Sequence, residues 1–321
     1  SDSLPVVWWT QYDGLEGYRN YFNAISADGT RNSADIFEEK GRLEATKVFE
    51  SLYKQELGYY DRSSTNYEFI QGQTRMLTGE GLMMVCGEWF SAEMRDLAVE
   101  YIARGYDYNI RMMKLPVISS IIDKTSTIKD DEMLSQVVAD IDAGLTAPSN
   151  TAVSIEDFEI VRMARGVFTT KDSMNHNVVI PKSSDAQTLA ADFLLYMASD
   201  DALKIYAENT YGGVMPFQYD IESDFPELHQ KMMSEYGITY AVLYDCAKML
   251  NTEYANGAYT SSVLAKYGSF DAWLSQYNNL ERVFMSDSEI TAEQIIAEHK
   301  EYWLGNNAYN FQNALSRAGL S

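Results

Sequence analysis

The stretch "LMMVCGEWFSAEMRDLAVEYIARGYDYNIRMMKLP", residues 82–116, decides how the chain is read. Residues 82–86 form a short apolar run suited to a buried strand. After Gly87, apolar residues recur at helical spacing through Phe90, Met94, Leu97, Ala98, Tyr101 and Ile102 until Gly105 stops them. Residues 108–115 read as a second strand, closed by Pro116. Strand, helix and strand with short glycine-marked connections predict an α/β layer with a mainly parallel sheet.

The flanking sequence extends that pattern. In "LPVVWWTQYDG", residues 4–14, Val6, Val7, Trp8 and Trp9 suit a buried strand that Asp13 and Gly14 break, and a helix is expected over 18–25. Ala45, Val48, Phe49, Leu52 and Tyr53 mark one face of a helix over 41–57. A further helix over 67–77 ends at Gly79 and Gly81. Residues 118–165 are acidic and read as an insertion with helices over 131–143 and 155–164. A strand is expected over 177–180, ending at Pro181. It leads to a helix with Ser184 as N-cap and Leu189, Phe193, Leu194 and Met197 as the buried face. From Pro226 onward helices are expected over 238–250 and 269–277, from a Thr291 cap to about Trp303, and finally to Ala318.

At 321 residues the chain is long enough for about two domains. Its 47 acidic against 25 basic residues give a formal net charge of -22, which repels phosphate backbones and anionic lipid surfaces, so nucleic acid is not an expected partner. No apolar window approaches the roughly 18 residues a membrane span needs. The N-terminus carries no signal pattern, so the protein is either cytosolic or begins after its signal. Cys86 and Cys246 are the only cysteines, and they form either two buried thiols or one disulfide.

The supply of catalytic groups is thin. His176, His229 and His299 stand far apart without metal-ligand or triad spacing and read as surface or cap residues. Phosphate-cradling glycine motifs and the GxSxG elbow are missing from the sequence. No metal and no cofactor is expected. The distinctive resource is aromatic: 23 Tyr, 13 Phe and 5 Trp. Most such rings fill cores. Trp8, Trp9, Tyr12, Trp89 and Tyr211 instead lie beside Gly, Asp or Glu at expected strand ends or loops, where α/β proteins bind ligands. A ring there can stack on a pyranose while Asp13 or Glu88 accepts hydrogen bonds from its hydroxyl groups. Strand alternation puts Trp8 and Trp9 on opposite faces, so one of the two is a core residue under this reading.

The segment "FIQGQTRMLTGEGLMMVCGEWFSAEM", residues 69–94, resembles the extracellular solute-binding proteins of ABC importers, the sugar-binding group that includes maltose-binding protein. Phe69, Gly79, Met83, Met84, Gly87 and Trp89 carry the likeness. "VVIPKSSDAQTLAADFLLYMASDDALKIYAENTYGGVMPF", residues 178–217, is similar to the family's returning segment. The resemblance covers about residues 1–220 and thins beyond, apart from a family-like "ITAEQIIAEH". Two departures stand out: nothing matches the family's opening segment of the first lobe, and residues 118–165 are extra.

The resemblance implies capture of a solute without chemistry. The expected fold is α/β, periplasmic-binding-protein-like (type II) and two-lobed, helix-rich, with an incomplete first lobe. Residues 1–165 and 221–321 would build the second lobe, and 166–220 would be the returning part of the first. Trp89 matches the tryptophan that stacks on sugar, Trp8, Trp9 or Tyr12 would present an aromatic to the cleft, and Gly212 and Gly213 match the loop near the crossing between lobes. The ligand would be a small carbohydrate and the partner an ABC permease. The protein would act as a monomer, extracellular or periplasmic, anchored by lipid through an upstream segment. A rival expectation is a carbohydrate-active hydrolase using Glu88 and Asp13, and a third is a protein-interaction module.

Overall fold

A computed structural model describes residues 4–26, 28–31, 34–54, 60–87, 89–168, 178–210, 220–250, 256–257, 271–287 and 289–320. In chain order its helices are α1 (Leu4–Tyr21), α2 (Lys40–Tyr53), α3 (Phe69–Leu77), α4 (Phe90–Ala103), α5 (Asp131–Asp142), α6 (Ile155–Arg165), α7 (Gln187–Met197), α8 (Asp200–Asn209), α9 (Ile221–Asp224), α10 (Pro226–Leu250), α11 (Leu280–Ser286), α12 (Ala292–Leu304) and α13 (Ala308–Arg317). Among the described residues the only ladder is a two-residue parallel pair, β1 (Val167–Phe168) with β2 (Asn256–Gly257).

This arrangement overturns the α/β, two-lobed binding-protein fold expected from the sequence. The first expected strand is part of α1. Leu4, Val7, Trp8, Trp9, Thr10, Gln11 and Tyr12 are all buried there, so the first half of this helix is covered on every side. An all-round buried helix and a buried strand have the same continuous apolar sequence, and periodicity does not separate them. Pro5 in the first turn suits a helix start, and the Thr10 hydroxyl returns to the Val6 carbonyl at 2.7 Å. Gly14, at φ 76°, is the kink within α1.

Among the described residues the other expected strands have no partner to pair with. A strand is stable only when its backbone groups pair with a neighbour. Residues 82–86 and 108–115 are irregular, as are 178–180, with Asn177 outside the described residues. Leu82 is 95% and Met83 80% exposed. The helix after Pro181 begins at Gln187 with Ala186 as its N-cap. The Ser184 hydroxyl instead accepts the Ala186 amide at 3.2 Å. No residue of α7 is buried, and Leu189 is 70% exposed, which corrects the buried face expected there. Over 269–277 only Ser275–Tyr277 is helical among the described residues, as a 3-10 turn.

Contacts divide the chain into two units. Unit 1 is Ser1–Arg62, Leu115–Lys171 and Asn256–Ser321, and unit 2 is Ser63–Lys114 and Asp172–Ala255. The core of unit 1 joins α1 and α2 to Ile121, Leu134, Phe158 and Val161 of the 118–165 stretch and to Phe284, Trp303 and Phe311 from the C-terminal helices. Residues 118–165 are therefore part of the unit's interior. Asp157 ties their turn down by accepting the Ser126 amide at 3.0 Å and the Thr127 amide at 2.6 Å.

In unit 2, α4 packs on α3 and α10 through Leu77, Phe90, Met94, Ala98, Ile238 and Val242. Asp245 of α10 fixes the irregular segment beside it, taking the Arg111 Nε at 2.8 Å and the Met112 amide at 2.9 Å. No disulfide joins Cys86 and Cys246; Cys246 is buried and Cys86 half-buried.

Candidate functional site

Trp89 stands at the N-cap position of α4, and its carbonyl accepts the Glu93 amide at 2.9 Å. Its side chain is 47% exposed. The indole lies close against Gly87: a Cβ at Gly87 would come within 2.6 Å of Trp89 Cη2. Glycine is required there because the ring occupies the space of a side chain. The ground beneath is fixed by Gln73 of α3, whose amide donates to the Glu93 carboxylate at 2.6 Å and to Cys86 Sγ at 3.6 Å. Ser91 donates to the Thr239 carbonyl of α10 at 2.5 Å. The indole is thus half-exposed at the start of α4. An open hollow of about 560 Å³, also in unit 2, is lined by Ile180, Lys182, Gln187, Thr188 and Ala191. None of these was singled out from the sequence.

Trp8, Trp9, Tyr12 and Asp13 belong to unit 1 and come together on α1. The three rings are interior. Trp8 meets Phe49 edge-on and donates its indole N–H to the Pro116 carbonyl at 3.2 Å. Trp9 is fully enclosed, with Tyr18, Tyr21 and Trp273 set edge-on around it at 4.8 to 5.9 Å. Tyr12 is buried and faces the Lys124 ammonium, 4.4 Å from its ring centre. Helical geometry, rather than strand alternation, sets these directions, so both indoles enter the core.

Asp13 sits where α1, the start of α2 and the 3-10 turn Ser119–Lys124 converge. One carboxylate oxygen accepts the Trp9 indole N–H at 2.8 Å and the Gly41 amide at 3.1 Å, and the other faces Lys124 Nζ at 3.7 Å. Burial raises the Asp13 carboxyl above the usual range, against the opposing pull of Lys124, Trp9 and Gly41. Glu39, the N-cap residue of α2, is pushed up to about 7, first by burial and then by the Asp13 charge. Its Oε1 is buried with no hydrogen-bond partner among the described residues. Sequence spacing gave no sign of this grouping, because Asp13, Glu39 and Lys124 come from three separate segments.

His299 corrects the expectation of a surface or cap histidine. It is fully buried, with Nδ1 2.7 Å from Arg42 Nη1 and Nε2 2.9 Å from the Asp271 carbonyl. Because guanidinium only donates, Nδ1 must accept and Nε2 must carry the proton. Burial, then the Arg42 charge, lowers this imidazole to about 2. Arg42 is itself enclosed, donating also to the Tyr21 hydroxyl at 2.9 Å and the Ala272 carbonyl at 2.8 Å. His229 packs against Tyr240 and Tyr244, with Nδ1 2.9 Å from the Tyr240 hydroxyl. His176, Glu88, Tyr211, Gly212 and Gly213 lie outside the described residues.

No protein family, no curated protein and no solved structure matches this chain. The described residues contain no cluster of His, Cys, Asp and Glu suited to a metal ion, and no helix long and apolar enough to cross a membrane.

Proposed function

We propose that the chain is the solute-binding component of an ABC importer, capturing a sugar or oligosaccharide without chemistry and delivering it to a membrane permease from outside the cell membrane. The observation that carries this reading is the Trp89 indole, half-exposed and held against Gly87, within the segment whose sequence resembles the sugar-binding group. A flat aromatic face in water offers a stacking platform to the C–H face of a pyranose. The reading rests on that ring and the motif around it and requires no sheet, since function follows the site and not the fold. Trp8, Trp9 and Tyr12 support the interior of unit 1 in this account, and Trp89 meets the ligand.

The test is calorimetric titration with a panel of oligosaccharides, comparing the unchanged chain with Trp89→Ala and Trp89→Phe. Loss of a stacking ring should weaken binding by about tenfold or more, with phenylalanine intermediate. Equal affinity in all three proteins would remove Trp89 from the site. Release of shorter sugars during the titration would reject capture without chemistry in favour of a hydrolase.

A further inference from the structure

The junction of α1, α2 and the 3-10 turn holds an arrangement unrelated to saccharide capture. Asp13 is the common acceptor there: its carboxylate joins the Trp9 indole to the Gly41 amide, so the first turn of α2 is attached to α1 through this one group. Glu39 immediately precedes that turn. Its buried Oε1 has no hydrogen-bond partner among the described residues, and its charge opposes that of Asp13.

We propose that Glu39 is a proton-operated latch on the N-terminal end of α2: a proton on Glu39 lets the helix close against Asp13, and its loss loosens that attachment.

The groups around Glu39 settle the direction. From α1 it meets the charge of Asp13, a like charge. Within α2 the attractive charge is Arg42, already engaged by Tyr21, Ala272 and His299. His299, on α12, stays neutral in this setting. From the 3-10 turn comes Lys124, which stands over the Tyr12 ring and faces Asp13 at 3.7 Å. Asp123 of the same turn is paired with Lys40 at 3.0 Å, and Lys47 occupies Glu44 at 3.3 Å. An ionised Glu39 therefore gains little and meets a neighbouring carboxylate. A carboxyl raised by folding holds its proton at a pH where the unfolded chain has released it. The stability this gives is present at low pH and is lost as pH rises from the usual value of 4.5 through about 7.

The local reporter is the Gly41 amide, read by hydrogen exchange in the full chain and corrected for the intrinsic pH dependence of exchange. In the unchanged protein its protection should fall on the order of tenfold between pH 5.5 and 8.5, the full shift being reduced by the partial exposure of Glu39. In Glu39→Gln, which keeps the shape and removes the charge, protection should be flat over that range. A flat profile in the unchanged protein, or the same fall in Glu39→Gln, would overturn the latch. Should the variant not fold, the carboxyl carbon of Glu39 can be titrated by NMR in the unchanged chain. A midpoint near 7 supports the latch, and one near 4.5 overturns it.

Discussion

Trp9 donates its indole N–H to Asp13 at 2.8 Å, one turn further along the same helix, and the accepting oxygen also takes the Gly41 amide of the next helix. Such a bond holds a large ring in one orientation while satisfying a carboxylate that burial would otherwise penalise. The approach of the two helices is correspondingly tight.

Gly41→Ala measures that tightness. A Cβ at this position would overlap the Asp13 carboxylate and come within 2.7 Å of Trp9 Cδ1. The expected loss is about 1 to 3 kcal/mol, as for overpacked interiors, read as a lower midpoint in denaturant. Unchanged stability would mean that α1 and α2 are further apart than described.

The two kinds of tryptophan should separate in the same assay. Trp9→Ala removes a fully enclosed ring and is expected to destabilise by about 3 to 5 kcal/mol. Trp89→Ala removes a half-exposed one and should change stability by less than about 1 kcal/mol. A large stability loss at Trp89 would make it a packing residue and withdraw its availability to ligand.

His299 predicts an acid-sensitive core. The folded imidazole, lowered to about 2, stays neutral where the unfolded chain, at 6.5, takes up a proton. Stability is then fully present above about 6.5 and declines as pH falls below it. Thermal midpoints measured from pH 7 to 4 should drop more steeply in the unchanged protein than in His299→Phe. The variant should also be less stable at pH 7, because Arg42 loses an acceptor.

Asp157 predicts a second loss at lower pH. Burial opposes its charge, but hydrogen bonds from Thr127 and Ser126 outweigh that and hold its carboxyl below the usual 3.8. Its contribution is present above the unfolded value and disappears as pH falls through the folded one. Asp157→Ala should destabilise by roughly 2 kcal/mol and release the turn at 126–127, seen as faster amide exchange at Ser126 and Thr127.

Much of the helical content was legible. The stripe from Phe90 to Ile102 is α4, and the Thr291 cap starts α12 with Gln294 completing its capping box. These signals are local, so sequence carries them. The strand expectations misread short apolar runs. Trp8 and Trp9 are apolar because the first half of α1 is enclosed, whereas Leu82, Met83 and Val85 are apolar yet exposed. The Asp13 junction and the Arg42 cage were illegible for another reason: each is assembled from segments far apart in the chain, and no spacing rule reaches from residue 42 to residue 299.

That last separation bears on how the protein is made. A guanidinium that cannot shed its charge waits, during synthesis, for acceptors encoded more than two hundred residues later: the Ala272 carbonyl and the His299 ring. The early helices supply this cation with the Tyr21 hydroxyl and the Tyr21 and Phe37 rings, so its enclosure is completed by the segment that carries Ala272 and His299.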